Sequence, residues 1–107
     1  MTTMAKAQVF TADSTEVRLF LLAWHENGRE SFARTYPASY AIGSYDSESG
    51  QLKTAKDRGR RWIALDEGSS GRFLLDKATG EVYTIKAYGR PNRRIGTLET
   101  LTAQYTR

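Results

Sequence analysis

The chain has 107 residues, of which 39% are hydrophobic, 11% aromatic and 26% charged, a balance that suits one folded domain and excludes a disordered chain. It has no cysteine, which excludes disulfides, thiolate catalysis and sulfur-bound metal sites. The longest apolar run, Leu19 to Trp24, is too short to span a membrane, and no signal-peptide pattern is present. We therefore expect a single cytoplasmic domain, residues 1–107, in which residues 1–12 are flexible.

The charge of the chain is unevenly distributed along the sequence. The net charge is +4 at pH 7. Residues 1–50 carry four Lys or Arg against six acids, whereas residues 51–107 carry twelve Lys or Arg against six acids. A basic half of this kind attracts polyanions through counterion release and long-range steering. The alternative is a charged surface that only keeps the protein in solution.

The first predicted element is a helix from Asp13 to about Asn27. Asp13 and Glu16 have the spacing of a capping box at its start. Four apolar residues then recur with the period of one helical face: Val17, Phe20, Leu21 and Trp24. The Asn27-Gly28 dipeptide predicts the end of the helix. The same dipeptide also suits the turn of a β-hairpin. Residues 31–36 could extend the helix or form a second short helix, up to Pro37.

The middle of the chain gives weaker signals. Residues 38–50 are rich in Ser, Gly and Tyr and predict a surface connection. Tyrosines in and before this segment could form an interface with another protein or a second copy: Tyr36, Tyr40 and Tyr45. Residues 51–65 predict an irregular or weakly helical basic stretch that leads into a short ordered segment. Trp24 and Trp62 are both expected in the core, although Trp62 could instead stack on a base.

The C-terminal third predicts a β-hairpin. Residues 72–75 and 81–88 have the pattern of two strands, and residues 76–80 form the turn between them, with Gly80 placed for a positive φ. Alternation along the second strand allows one face to pack on the helix while Lys86 and Tyr88 point outward.

Two further segments complete the predicted fold. Residues 89–94 predict a basic loop, and residues 95–105, rich in Thr and Leu, predict a third strand. The expected fold class is therefore α+β: a small antiparallel sheet, formed by the C-terminal hairpin and one or two further strands, packed against one main N-terminal helix.

The strongest candidate site lies on the hairpin and the loop after it. It combines four cations with one aromatic and one amide side chain within nine residues and contains no acid: Lys86, Tyr88, Arg90, Asn92, Arg93 and Arg94. Guanidinium groups bind phosphates or guanine edges through paired hydrogen bonds, and an exposed Tyr can stack on an unpaired base. Further arginines could extend this surface: Arg58, Arg60 and Arg61. The alternative is a solvated hairpin loop, with Tyr88 in a minor core.

Catalysis has little support in the sequence. His25 is the only histidine, which excludes a multi-histidine metal site, and neither a Gly-x-Ser-x-Gly motif nor a phosphate-binding loop is present. Acids such as Asp66 with Glu67, or Asp76 with Glu81, could hold magnesium for phosphodiester cleavage, but ordinary turn and strand-end acids explain them better. We expect no catalytic residue, no metal and no cofactor.

The C-terminal segment also carries a resemblance. Residues 71–89, which include Thr79-Gly80-Glu81-Val82-Tyr83-Thr84-Ile85-Lys86-Ala87-Tyr88-Gly89, and the following Gly96-Thr97-Leu98 are similar to small uncharacterised proteins of phages and other bacterial mobile elements. The resemblance implies an origin on such an element and brings no residue roles. Small basic proteins of that origin include transcription regulators, virion components and inhibitors of host defence such as anti-CRISPR proteins.

The sequence thus predicts a non-enzymatic basic binding protein of phage or mobile-element origin. Its expected partner is nucleic acid or a nucleic-acid-containing host complex, such as a CRISPR effector, and no membrane is expected. One alternative is a protein–protein interaction module or homo-oligomer that uses the tyrosine-rich surface. The other is a small metal-dependent nuclease or hydrolase.

Overall fold

The computed structural model describes residues 10–43, 45, 52–87 and 89–106. Its elements in chain order are helix α1 (Thr15–Thr35), helix α2 (Pro37–Ala41), strands β1 (Lys53–Arg58), β2 (Trp62–Glu67), β3 (Ser70–Asp76), β4 (Glu81–Ala87) and β5 (Arg90–Thr97), and helix α3 (Leu98–Tyr105). All five strands form one antiparallel sheet in the order β1-β2-β3-β4-β5. The fold is α+β, as the sequence predicts, with α3 as an addition.

The hydrophobic core lies between one face of the sheet and the helices α1 and α3. Helix α1 contributes the apolar face that its sequence period predicts, including Phe20 and Trp24, and α3 contributes Leu98 and Leu101. The sheet contributes four residues from β2, β3 and β4: Ile63, Leu65, Leu75 and Val82. The ring centroid of Phe20 lies 5.7 Å from that of Trp24. Trp24 is therefore a core residue, as predicted.

Helix α1 is longer than the sequence predicts. Its N-cap is Ser14 rather than Asp13, and no side chain caps the helix; Asp13 lies 3.7 Å from Arg18 instead. The helix passes through Gly28 without interruption, so the hairpin alternative for this segment is wrong and the extension beyond residue 31 is correct. No helix in the part of the chain that the structure describes is long and apolar enough to cross a membrane.

Residues 53–67 form a β-hairpin, and the prediction of an irregular or weakly helical stretch is wrong. Lys53 pairs with Glu67 at one end and Arg58 with Trp62 at the other, and Gly59 provides the positive φ of the turn. Strand β1 contains a single apolar residue, Ala55, so it has no alternation of apolar and polar residues from which a strand could be recognised.

The hairpin of β3 and β4 confirms the prediction. Asp76 Oδ1 accepts hydrogen bonds from the backbone N–H groups of Ala78 (2.9 Å) and Thr79 (3.3 Å), and Gly80 has φ +78°. The backbone N–H of Phe10 donates to the carbonyl oxygen of Lys77 in this turn (2.9 Å). The expectation of flexibility for residues 1–9 falls outside the described residues.

The C-terminal end of the chain differs from the prediction. The predicted loop at residues 89–94 is largely strand β5, and the predicted strand at residues 95–105 is mostly helix α3. A reciprocal capping box starts this helix: Thr100 N–H donates to Thr97 Oγ1 (3.1 Å) and Thr97 N–H donates to Thr100 Oγ1 (2.9 Å). The box provides hydrogen-bond acceptors for the backbone N–H groups of Thr97 and Thr100, which in a strand would need acceptors on a neighbouring strand.

Candidate nucleic-acid interface

The sheet has a second face, opposite α1 and α3, which we call the helix-free face. Four residues of β2, β3 and β4 lie on it because they alternate with the core residues: Trp62, Ala64, Leu74 and Tyr83. The rings of Trp62 and Tyr83 meet edge to face, with centroids 5.4 Å apart. Ala64 and Leu74 are each only 1% exposed, so the centre of this face is covered.

Beyond Thr84 the hairpin of β4 and β5 leaves the sheet and forms an arm, residues 85–87 and 89–93. Strand β3 pairs with β4 only as far as Thr84, and the pairing of β4 with β5 contains three register shifts, which bend and twist a strand pair. A Cβ built on Gly89 would lie 2.9 Å from Nη2 of Arg58. Two strands separate β1 from β4, so in a flat sheet β1 and β4 would be about 14 Å apart. Because Gly89 nevertheless lies next to the Arg58 side chain, the arm bends over the helix-free face toward β1.

The arm brings four of the predicted site residues together on an exposed element: Lys86, Arg90, Asn92 and Arg93. Within the described ranges, none of its three cations forms an ion pair. Thr84 Oγ1 accepts a hydrogen bond from the backbone N–H of Arg93 (3.2 Å), which holds β5 against β4 at the base of the arm. Arg58, from the other predicted basic run, reaches this arm at Gly89.

The remaining predicted site residues have different surroundings. Arg94 Nε lies 3.0 Å from Glu81 Oε2, and Arg61 Nε lies 3.2 Å from Asp76 Oδ2, so a carboxylate neutralises each of these arginines. Arg60 is exposed in the turn between β1 and β2. Tyr88 lies outside the described residues.

Trp62 differs from its predicted place in the main core. It is half-buried on the helix-free face, and the guanidinium of Arg61 lies 4.5 Å from its ring centroid. The hydroxyl of Tyr83 donates to Glu81 Oε1 (3.2 Å). Burial raises the pKa of Tyr83 above its ordinary value of 10.0, and the charge and hydrogen bond of Glu81 raise it further. Tyr83 is therefore a neutral hydrogen-bond donor at physiological pH.

The three tyrosines of the predicted interface do not form one exposed set. Tyr36 is 57% exposed, but Tyr45 is only 2% exposed. The hydroxyl of Tyr45 donates to the carbonyl oxygen of His25 (2.7 Å), and its ring lies 4.5 Å from that of His25 and 5.2 Å from that of Phe32. Tyr45 thus anchors the chain after α2 to α1, and the prediction of its exposure is wrong.

Three of the four acids considered for magnesium hold cations of the protein itself. Glu67 lies 3.1 Å from Lys53 Nζ and 3.4 Å from Arg72 Nε, while Asp76 and Glu81 hold the arginines described above. Across the residues that the structure describes, no group of three or more His, Asp and Glu side chains is arranged to hold a metal ion. These carboxylates stabilise the sheet through ion pairs and turn contacts.

The chain matches no protein-family profile, no curated protein and no solved structure. The function is therefore argued from the geometry of the chain itself. That geometry provides exposed, uncompensated cations on a bent two-stranded arm and an aromatic pair on the face beneath it, an arrangement suited to binding an extended anion.

Proposed function

We propose that this protein binds nucleic acid without catalysing a reaction, and that the arm is its main contact. The observation that carries the proposal is the exposure of Lys86, Arg90 and Arg93 on one short arm, in a stretch from residue 82 to residue 98 that contains no acid. Elsewhere in the second half, cations such as Lys53, Arg61 and Lys77 are paired with carboxylates. Within the described residues of the second half, three of the five exposed cations that form no ion pair therefore lie on the arm; Lys56 and Arg60 are the other two.

The shape of the arm suits this role. A two-stranded β-ribbon is narrow enough to enter the major groove of DNA, where arginine and asparagine side chains recognise base edges. Asn92 provides an amide for a base edge, and Lys86, Arg90 and Arg93 provide three charges for phosphates. Neutralising three phosphates gives a slope of log K against log salt of about −2 for a single strand and about −2.7 for a duplex.

The proposal has two forms, which differ in the state of the target. The nucleic acid is either free or part of a host nucleoprotein complex such as a CRISPR effector. The resemblance of residues 71–89 and 96–98 to proteins of phages and mobile elements favours the second form of the proposal. Capture of the target from a bacterial lysate with and without nuclease distinguishes the two forms. After the nucleic acid is digested, only a target that is recognised through its protein part is still captured.

Removal of two arm charges tests the proposal. We expect Arg90→Gln with Arg93→Gln to weaken binding of labelled DNA and RNA oligonucleotides by about tenfold and to make the salt slope shallower by about 1.4 to 1.8. The measurement is fluorescence anisotropy at several salt concentrations, with single-stranded and double-stranded probes.

The matched control is Arg18→Gln with Arg34→Gln, which removes the same number of exposed charges from α1. We expect this control to change the affinity less than about twofold, because its charges lie on the other side of the sheet. Equal losses in both double variants, or an affinity that does not depend on salt, would contradict the proposal.

A further inference from the structure

A groove runs between α1 and α3 on the side of the molecule away from the helix-free face. One part, of about 520 Å³, is lined by Phe10, Leu19 and Leu98 among others. A second part, of about 800 Å³, is lined by Leu22 and Tyr105 among others. Leu19 and Thr102 line both parts, so the two parts are adjacent along the α1–α3 seam, and we describe them together as the groove.

The groove exposes a stripe of apolar side chains. Leu19 is 52% exposed and Leu22 is 60% exposed, and they lie on neighbouring positions of one helix face because they are three residues apart. Val17, Phe20 and Trp24 on the same helix are buried. Contiguous apolar surface of this kind, unlike a single exposed leucine, is typical of an interaction site.

The rim of the groove carries four glutamates and one cation, Arg29, among its described lining residues. Glu16 and Glu99 line its first part, and Glu26 and Glu30 line its second part. Glu26 Oε1 accepts a hydrogen bond from Arg29 Nε (3.0 Å). Glu16, Glu30 and Glu99 form no ion pair within residues 10–43, 45, 52–87 and 89–106. The groove therefore combines an apolar floor with uncompensated negative charge.

We infer that this groove binds a cationic amphipathic helix of a partner protein. Apolar side chains of that helix would pack against Leu19 and Leu22, and its Lys or Arg side chains would meet Glu16, Glu30 and Glu99. Helix-in-groove recognition uses this combination of apolar anchors and complementary charge. A second copy joined groove to groove about a two-fold axis would face its own acids with the same acids, which disfavours that occupant.

The probe for this inference is a synthetic amphipathic helix of leucine and lysine. Its counterparts carry glutamate in place of lysine, or serine in place of leucine. We expect the wild-type protein to bind the leucine–lysine peptide and neither counterpart, with resonance shifts confined to α1 and α3. Glu16→Gln with Glu99→Gln should weaken binding by about tenfold, and Leu19→Ser with Leu22→Ser should abolish it.

Arg90→Gln with Arg93→Gln is the control, because the arm lies on the other side of the sheet and peptide binding should be unchanged. Peptide binding and oligonucleotide binding can therefore fail independently. Circular dichroism verifies the fold of each variant. If Leu19→Ser with Leu22→Ser unfolds, the affinity of Glu16→Gln with Glu99→Gln for the peptide still tests the inference. Binding that is indifferent to the glutamates, or sedimentation showing self-association that Leu19→Ser with Leu22→Ser removes, would overturn the inference.

Discussion

Gly28 lies in the interior of α1, where glycine lowers helix stability by about 0.5–1 kcal/mol relative to alanine. The structure gives a physical reason for glycine at this position. The Tyr45 hydroxyl packs against it, donates to the carbonyl oxygen of His25 (2.7 Å) and lies 3.2 Å from Lys53 Nζ, which donates to it. A Cβ on Gly28 would lie 2.5 Å from that hydroxyl oxygen, so Gly28 provides the space for the hydrogen bond from Tyr45 to the carbonyl oxygen of His25.

We predict that Gly28→Ala destabilises the protein although alanine favours a helix. The expected loss in the free energy of unfolding is about 1–3 kcal/mol, because the added methyl group overpacks the site. In a Tyr45→Phe background the nearest ring atom would be Cζ at 3.6 Å, and the same change should stabilise by up to about 1 kcal/mol. Urea denaturation of the double-mutant cycle measures this coupling. Additive effects of the two substitutions would show that the hydroxyl is not the obstacle.

Tyr83 predicts a dependence of stability on alkaline pH. Burial is the main cause of its raised pKa, and Glu81 adds to it. Because the folded-state pKa lies above 10.0, the unfolded chain loses this proton first as the pH rises. The stabilising contribution is therefore complete below pH 10.0 and is lost as the pH rises through the folded-state pKa.

We expect Tyr83→Phe to show a smaller fall in the free energy of unfolding than the wild type between about pH 9 and about pH 11. Urea denaturation across this range is the measurement. Tyr36→Phe, at an exposed position, is the matched control and should follow the wild type. A Tyr83→Phe curve parallel to that of the wild type would refute this assignment.

Among the predicted site residues, sequence reasoning is most informative where neighbours in space are also neighbours in the chain. Lys86, Arg90 and Arg93 are all exposed on one arm because a single hairpin carries them. The neutralisation of Arg61 by Asp76 and of Arg94 by Glu81 could not be predicted, since each pair depends on strand register. The edge-to-face contact of Trp62 with Tyr83 joins β2 to β4 and also depends on strand register, so the sequence could not predict it.

At the scale of the elements, α3 shows how a local signal can be misread. Residues 95–105 are rich in threonine and therefore predict a strand, since β-branched residues favour strands. The capping box of this helix uses Thr100 in the position where Glu or Gln is usual. Leu98 and Leu101 then pack against α1 as part of the core, so helix capping and packing outweigh the strand preference of the threonines.

The capping box leads to a prediction for α3. Thr97→Ala should lower the free energy of unfolding by about 1 kcal/mol, because the N–H of Thr100 loses its acceptor. Thr97→Ser keeps the hydroxyl and should retain most of that stability. Urea denaturation measures both, and amide hydrogen exchange should show the loss concentrated in α3. Equal effects of alanine and serine would show that the methyl group of Thr97, rather than its hydroxyl, stabilises the helix start.

The other elements could be predicted where the sequence has a regular apolar period, and could not where that period is absent. Helix α1 has a complete apolar period, and the β3–β4 hairpin has both alternation and a glycine turn, so both were predicted. Strand β5 has six exposed residues at its start and is a strand because it pairs with β4. Strand β1 buries Lys53, whose ammonium lies 5.4 Å from the ring centroids of Trp24 and Tyr45. Because a lysine takes an inward position where an apolar residue is usual, the strand cannot be recognised from an alternation of apolar and polar residues.

At the scale of the whole molecule, the two long sides of the fold differ in charge. Helices α1 and α3 run parallel, because the groove meets Glu16 and Glu99 at one end and Asn27 and Thr106 at the other. Their positive dipole ends therefore lie together, and each carries a glutamate in its first turn. Cations without an ion pair in the described residues lie on the arm, while glutamates without an ion pair in the described residues line the groove, where α1 also carries three arginines: Arg18, Arg29 and Arg34.

The unpaired glutamates of the groove and the unpaired cations of the arm together contribute an electric moment that points from the groove to the arm. Under the proposed function, we expect these charges to turn the protein so that the arm leads as it approaches a nucleic acid. Orientation of this kind raises the fraction of productive encounters and acts on association rather than on the lifetime of the complex. Under the proposed function, the charges that the bent arm carries should therefore act mainly on the rate of association with nucleic acid.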